Sequence, residues 1–467
     1  MTTRRMVNTT VGTIDEATLA YTTGRDPVLD LALVRADCLG TAAHAIMLSR
    51  LRPPILTADE TRALLAELER VVSLAEEGRF TITPADQDVH LAVERHLTAS
   101  LGEPGKKVHT FRSRNDQAAT DLRLFIREEL LGLAQETAEL ARTFIRFARR
   151  HERCPMVGRT HRQPAMPSSV GLWAGAHAES LTDDLCDLLH AYDLNDACPL
   201  GSAASYGVPA PIDRWLTARL LGFSAPVHNT LYANNARGKV EARTLAACGQ
   251  VMLSLSRVAE DLIFFTLPEL GYFSLPAFST TGSSIMPQKR NPDVCELLRA
   301  RAARVWHHCL FAAEIVRGLP SGYNRELQET KPALLEGLAE TRASVRILIP
   351  LIEGLQVHRD ALRRGFDASV FATDAALEQV AAGVPFRDAY HDIKQRLSEL
   401  SARDPVEAIA RKTHWGAPAG LDWSWVNRVL VSRMREIGRR QRRVEACWVR
   451  LLPGAVPRKA GRRKNRS

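Results

Sequence analysis

Gly282-Ser283-Ser284-Ile285-Met286-Pro287-Gln288-Lys289-Arg290-Asn291-Pro292-Asp293 is the stretch on which the reading of this 467-residue chain turns. A glycine and two hydroxyls open a flexible run. A lysine and an asparagine follow, two positions apart, and a helical pattern begins at Asp293. A loop of this composition can bring a weak base and a cationic anion-binder to one small molecule. A Gly/Ser surface loop ahead of a helix accounts for the first three residues and leaves the other nine unexplained.

Outward from that loop the pattern is helical nearly throughout. From Asp121 to Arg150, apolar residues fall at Leu122, Ile126, Leu130, Leu133, Leu140, Phe144 and Phe147. Steps of three and four mark one face of a helix, and thirty residues span about 45 Å at 1.5 Å per residue. Similar segments run over 168–192, 239–265, 293–317 and 329–354. Five long helices joined by Pro/Gly-rich loops predict an all-α chain built on an elongated bundle. The loops around Pro164 and Pro167, from Pro199 to Pro211 and from Leu267 to Asn291 carry the candidate chemistry, as long loops often do. The expected divisions are an N-terminal helical domain over 1–111, a central long-helix bundle over 112–364, a C-terminal helical domain over 365–432 and a disordered basic tail over 433–467.

Composition narrows the class. The chain is 45% hydrophobic and 25% charged, ordinary for a globular protein. No apolar run is read as approaching membrane-span length, and the start lacks the apolar segment of a secretory signal. Eight cysteines show no CxxC pair and no metal spacing, which points to incidental thiols in a reducing cytosol. The net charge is +9, but 433–467 holds 13 Lys+Arg and 2 Asp+Glu, a net of +11, so the remainder is 9 − 11 = −2. Such a tail can neutralise phosphates; without aromatic interleaving beyond Trp448 it reads as solvated chain, and nucleic-acid binding is not expected.

Four further clusters stand out. His109-Thr110-Phe111-Arg112-Ser113-Arg114-Asn115-Asp116-Gln117 sets arginines, a hydroxyl and an amide at a helix start, where backbone N–H groups add to an anion site. Gly158-Arg159-Thr160-His161-Arg162-Gln163-Pro164 places a histidine in a loop. Ser321-Gly322-Tyr323-Asn324-Arg325-Glu326-Leu327-Gln328-Glu329-Thr330-Lys331 offers Tyr323, Gln328 and Lys331 over about two turns. Asp86-Gln87-Asp88-Val89-His90-Leu91-Ala92-Val93-Glu94 groups acids around a histidine.

The opening loop resembles the signature of the fumarase/aspartase superfamily, and Gln288 narrows the resemblance to the argininosuccinate lyases. HTFRSRNDQ is similar to that family's HTGRSRNDQ, with Phe111 in place of glycine. Asp86 to Glu94 resembles its E-D-x-H-x-x-x-E, with Leu91 and Val93 replacing threonine and asparagine near the substrate's amine end. Gly40-Thr41-Ala42-Ala43-His44 matches an N-terminal element. The loop around Arg237 departs most, with Ala236 and Gly238 where an S-x-R-D element is usual. The resemblance runs from about Thr23 to His391.

The resemblance implies a three-domain fold and a β-elimination that expels an amine from an N-substituted aspartate and leaves fumarate. Ser283 is the implied base. Lys289 helps ionise it and, with Asn291, holds the carboxylate beside Ser113, Arg114 and Asn115. His161, with Thr160 beside it and Glu296 as partner, handles the leaving group's proton. Arg237, Tyr323, Gln328 and Lys331 bind substrate. No metal and no organic cofactor is implied. The family assembles as a homotetramer whose active sites draw clusters from three chains, in the cytoplasm. A related lyase acting on another N-substituted aspartate and a non-catalytic relative that kept the fold are the alternatives.

Overall fold

The computed structural model describes residues 5–9 and 12–455. Its N-terminal part holds helices Val34–Ser49 (α1), Ala58–Glu76 (α2) and Val89–Leu101 (α3). The long helices follow as Arg114–Arg150 (α4), Val170–Asn195 (α5), Lys239–Phe265 (α6), Asp293–Val316 (α7) and Thr330–Glu353 (α8). The helical periodicity located all five, and the chain is all-α in class. Strands are short: Pro155–Thr160 (β1) and Gln163–Ser169 (β2) form a hairpin, and Phe273–Ser274 (β3) pairs antiparallel with Gln356–Val357 (β4).

α4 begins where Ser113 caps it. The Ser113 hydroxyl accepts from the Asn115 N–H at 3.3 Å, and Asp116 returns the bond by accepting from the Ser113 N–H at 2.9 Å, a reciprocal arrangement that satisfies N–H groups the helix cannot. Its apolar face, including Leu122, Ile126, Leu130, Leu133 and Phe144, is buried in the common core.

Side-chain ties fix the direction of each helix. Arg123 donates to the Ala197 carbonyl at 2.7 Å and Trp173 donates to Asp261 at 2.9 Å, so α5 runs antiparallel to α4 and α6. Arg342 pairs with Glu136 at 2.6 Å and Arg146 with Glu353 at 2.9 Å, so α8 runs parallel to α4. Gly238, just before α6, lies against Val316 at the end of α7 and Thr330 at the start of α8. The starts of α4, α6 and α8 therefore share one end of the bundle. The hairpin ahead of α5 and the loop ahead of α7 share the other.

Two expectations need correction. Residues 433–455 are not a disordered tail. Helix Trp423–Leu451 (α9) buries Val426, Leu430, Ile437, Val444, Trp448 and Leu451, an apolar stripe at helical spacing. Arg440 pairs with Asp193 at 2.6 Å, and the Trp448 indole donates to the Leu221 carbonyl at 3.2 Å. The charge count hid the stripe between the arginines. The tail from 456 onward lies outside the described residues. The second correction concerns apolar runs: Asp26–Ser49 is one helical stretch long and apolar enough to cross a membrane, with 78% of its most apolar window buried inside the protein.

Candidate active site

A cavity of about 700 Å³ opens where α4, α6 and α8 begin, within the usual range for a small-molecule site. Ser113, Arg114, Asn115, Arg237, Tyr323, Gln328 and Lys331 all line it, so the structure brings three separate clusters together. It adds residues that the sequence reading left unassigned: Asp26, Asp30, Asp88, His90, His109, Arg112, Arg325 and the loop from Ala203 to Val208.

The cavity's charges are held in place from behind. The Arg114 Nε donates to Asp88 at 2.7 Å. Arg237 is buried and pairs with Glu241 at 3.0 Å. Lys331 is buried between Asp30 and Asp26, the latter at 3.1 Å. Burial pushes the Asp26 carboxyl up to about 6, with Lys331 pulling against it. Gln328 donates to the Thr22 carbonyl at 3.1 Å and Arg325 donates to the same oxygen at 2.7 Å. Asp116 accepts from the Gly201 and Ala203 N–H groups at 2.8 and 2.9 Å, fastening the 200s loop to the start of α4. The Gly/Pro/Ser content of that loop was the available signal.

Behind the cavity, His90 lies 3.4 Å from both Asp37 and Asp121. These three could hold a metal by spacing alone. Burial disfavours the charged imidazole, but Asp88, Asp37 and Asp121 outweigh it and raise His90 to about 9. A protonated imidazole donates to its carboxylates and offers no lone pair to a metal, while burial, and then the neighbouring Asp37, push the Asp121 carboxyl well above the usual carboxylate range.

The remaining motif residues sit at the opposite end. Thr160 and His161 stand exposed on the hairpin between β1 and β2. Ser283 and Lys289 lie on a loop closed by the antiparallel bridge of Thr281 with Asn291. The Ser283 Oγ accepts from the backbone N–H groups of Ile285 at 3.3 Å and Met286 at 3.1 Å. Glu296 is exposed on the first turn of α7. Among the described residues His161, Lys289 and Glu296 make no side-chain hydrogen bond or ion pair, so the expected pairing of Glu296 with His161 is absent within one chain. Their elements are nevertheless tied together: Glu260 of α6 pairs with Arg162 beside His161 and, at 2.7 Å, with Arg299, three residues after Glu296.

Within one chain the two groups do not meet. The 27 residues of α6 between them measure about 40 Å. The expectation that Ser113, Arg114 and Asn115 stand beside Lys289 and Asn291 therefore fails for a single chain.

Backbone strain marks the same places. The non-glycine residues at positive φ, among those described, are Gln87, Phe111, His161, Arg162, Ala203 and Ser205. All lie on the cavity's surrounding segments or at the hairpin tip, where strain tends to be stored. Phe111 has φ 66, which explains a glycine at this position in the resembled family. Its side chain packs on the core and does not narrow the cavity. Leu91 and Val93 are buried and also stay out of the cavity wall. Gly238 has φ 74, and a Cβ there would come 2.2 Å from Val316, so the departure beside Arg237 is a steric requirement.

Comparison with known proteins assigns the class. Residues 32–306, more than half of the chain, match the sequence profile of the lyase family. Solved structures with the same fold include an EDDS lyase in complex with formate (TM-score 0.73, 23% identity, 91% of this chain and 90% of that one) and a class II fumarase from Schistosoma mansoni (0.70, 17%, 86% and 98%). An argininosuccinate lyase of Sorangium cellulosum is 43% identical over 88% of this chain and 95% of its own length. One of Thermotoga neapolitana is 39% identical over 82% and 96%. The chain belongs to the lyase family and, within it, to the argininosuccinate lyases.

Proposed function

We propose that the chain cleaves argininosuccinate to arginine and fumarate by β-elimination. The single observation that carries the chemistry is the Ser283 hydroxyl, held by two backbone N–H donors. Donors aimed at an oxygen favour its ionised form, and Lys289 six residues on adds positive charge. Ser283 as alkoxide takes the Cβ proton. Charge moves onto the adjacent carboxylate, which Lys289, Asn291, Ser113, Arg114 and Asn115 hold. The Cα–N bond breaks, and His161, oriented by Glu296 and flanked by Thr160, supplies the proton to the departing guanidinium nitrogen. Arg237, Tyr323, Gln328 and Lys331 seat the rest of the substrate.

The cavity supports this substrate over a simpler dicarboxylate. Arg112, Arg114, Arg237, Arg325 and Lys331 share it with Asp26, Asp30 and Asp88. Argininosuccinate carries carboxylates together with cationic nitrogen groups and needs both signs in its site. Phe111, Leu91 and Val93 point away from the cavity and give no ground for a different amine.

The reaction needs both ends of the bundle in one site, so we infer that chains pack with bundles antiparallel, as a homotetramer whose sites draw on several chains. Exposed Leu297, Leu310 and Phe311 on α7 and Leu253 on α6 give the bundle an unpartnered apolar face suited to that contact. The free cysteines fit a cytoplasmic enzyme. The test is fumarate absorbance in the ultraviolet after adding argininosuccinate, adenylosuccinate, aspartate or malate. Fumarate from argininosuccinate alone is expected; release only from another compound rejects the substrate, and no release from any rejects the activity.

A further inference from the structure

A second cavity, of about 690 Å³, lies at the hairpin end and takes no part in the chemistry above. Its walls are the turn after α6, strand β4, the short helix Arg359–Arg364 and Arg159 of β1. The turn is held to the strand by the His358 N–H, which donates to the Tyr272 carbonyl at 2.9 Å.

The arginines here are held differently from the cations of the first cavity. There, Arg114, Arg237 and Lys331 each have a carboxylate partner. Here Arg159, Arg359 and Arg364 line one space together with Glu269 and Asp360, and none of the three arginines forms an ion pair among the described residues. Three guanidinium groups against two carboxylates leave the lining with a net positive charge, and guanidinium groups that face a common space unpaired repel one another. Their planar forks suit carboxylate or phosphate oxygens.

Arg159 links this space to the hairpin. Its Nη2 donates to the buried Tyr272 hydroxyl at 3.3 Å, and its Nη1 donates to the Arg162 carbonyl at 3.0 Å. Its Nε is buried and has no hydrogen-bond partner among the described residues. Arg162 and His161 together form the strained tip, with φ 63 and 52. One side chain thus touches both the cavity and the backbone that carries the imidazole.

We propose that this cavity is an effector site for a multivalent anion, a polycarboxylate or a phosphate, whose binding repositions the His161 hairpin through Arg159. The catalytic consequence rests on the function proposed above; the binding does not. Calorimetric titration of the full-length protein with citrate and with inorganic phosphate, against sodium chloride at equal ionic strength, tests it. Binding of at least one multivalent anion is expected, weakened about tenfold or more in the Arg359→Ala/Arg364→Ala double variant, since charge-assisted hydrogen bonds are lost. Citrate alone identifies a polycarboxylate, and phosphate alone a phosphate ligand. In the native protein the bound anion shifts kcat for fumarate release; the double variant keeps its basal rate and loses that response. Equal heats from chloride, or undiminished binding in the double variant, overturn the site. Binding without any change in kcat overturns its coupling to the hairpin. A protein that binds the anion through these arginines but cleaves nothing contradicts the proposed function and leaves the anion site standing.

Discussion

At the end of the bundle where α4, α6 and α8 begin, Arg114, Arg237 and Lys331 lean on carboxylates, and Asp116 pins the facing loop to a helix start. At the other end, His161, Lys289 and Glu296 stand exposed without side-chain partners among the described residues. Both ends carry motif residues, and the first gathers Ser113, Arg114, Asn115, Arg237, Tyr323, Gln328 and Lys331 in one cavity within a single chain. On the function proposed above, the contrast makes one end a prearranged wall for substrate and the other a source of reactive groups whose surroundings come from another chain. It also predicts that substitutions at the two ends fail differently: at the exposed end rate is lost with the fold intact, and at the buried end stability is lost as well.

Ser283→Ala should show the largest effect. Removing a base or an electrostatic donor lowers the rate by about 10² to 10⁴. Because Ser283 sits on an exposed loop, thermal melting should not move. Near-normal turnover would reject Ser283 as base and break the contrast at its active side. Lys331→Met probes the other end. It leaves Asp26 and Asp30 buried without their cation, and breaking a buried pair costs about 3–5 kcal/mol. Urea unfolding should show that loss, and an unchanged midpoint would mean that the buried ion pairs do not stabilise the fold.

The pH response sharpens the same division. Asp26 is raised to about 6 in the folded chain, chiefly by burial. The folded state then holds its proton more tightly than the unfolded state does. Stability contributed by the protonated form is present below pH 4 and falls as pH rises toward 6. Asp26→Asn should remove up to about 3 kcal/mol of that decline, seen as a flatter unfolding profile across this window. Ser283→Ala should leave the profile alone. Phe111→Gly should do least: a relieved left-handed conformation, about 1 kcal/mol, is offset by lost packing, and KM stays within about twofold because the ring faces the core and not the cavity.

The helical bundle was readable because long amphipathic helices repeat their apolar residues at a period that sequence displays directly. The motif residues were readable because each cluster is local. What local pattern could not supply was distance along the bundle. Ser113 and Lys289 belong to one implied site and lie at opposite ends of the bundle in one chain, since the helices they precede, α4 and α7, run in opposite directions. Asp26, Asp30 and Arg112 were missed for a related reason: their roles come from contacts such as Lys331 with Asp30, 301 positions apart. α9 was misread because its arginines dominate composition while its buried stripe contributes one residue in every three or four.

The central claim is that one active site takes the Ser283 loop from one chain and the Asn115 wall from another. Co-expression of Ser283→Ala with Asn115→Ala, each carrying a different tag, and purification of the mixed oligomer tests it most directly. Each parent alone should release almost no fumarate from argininosuccinate. Random mixing restores both groups to roughly a quarter of the sites in a symmetric oligomer, so the hybrid should recover activity on that order. A hybrid of native size that stays as inactive as its parents would show that the two ends never share a site.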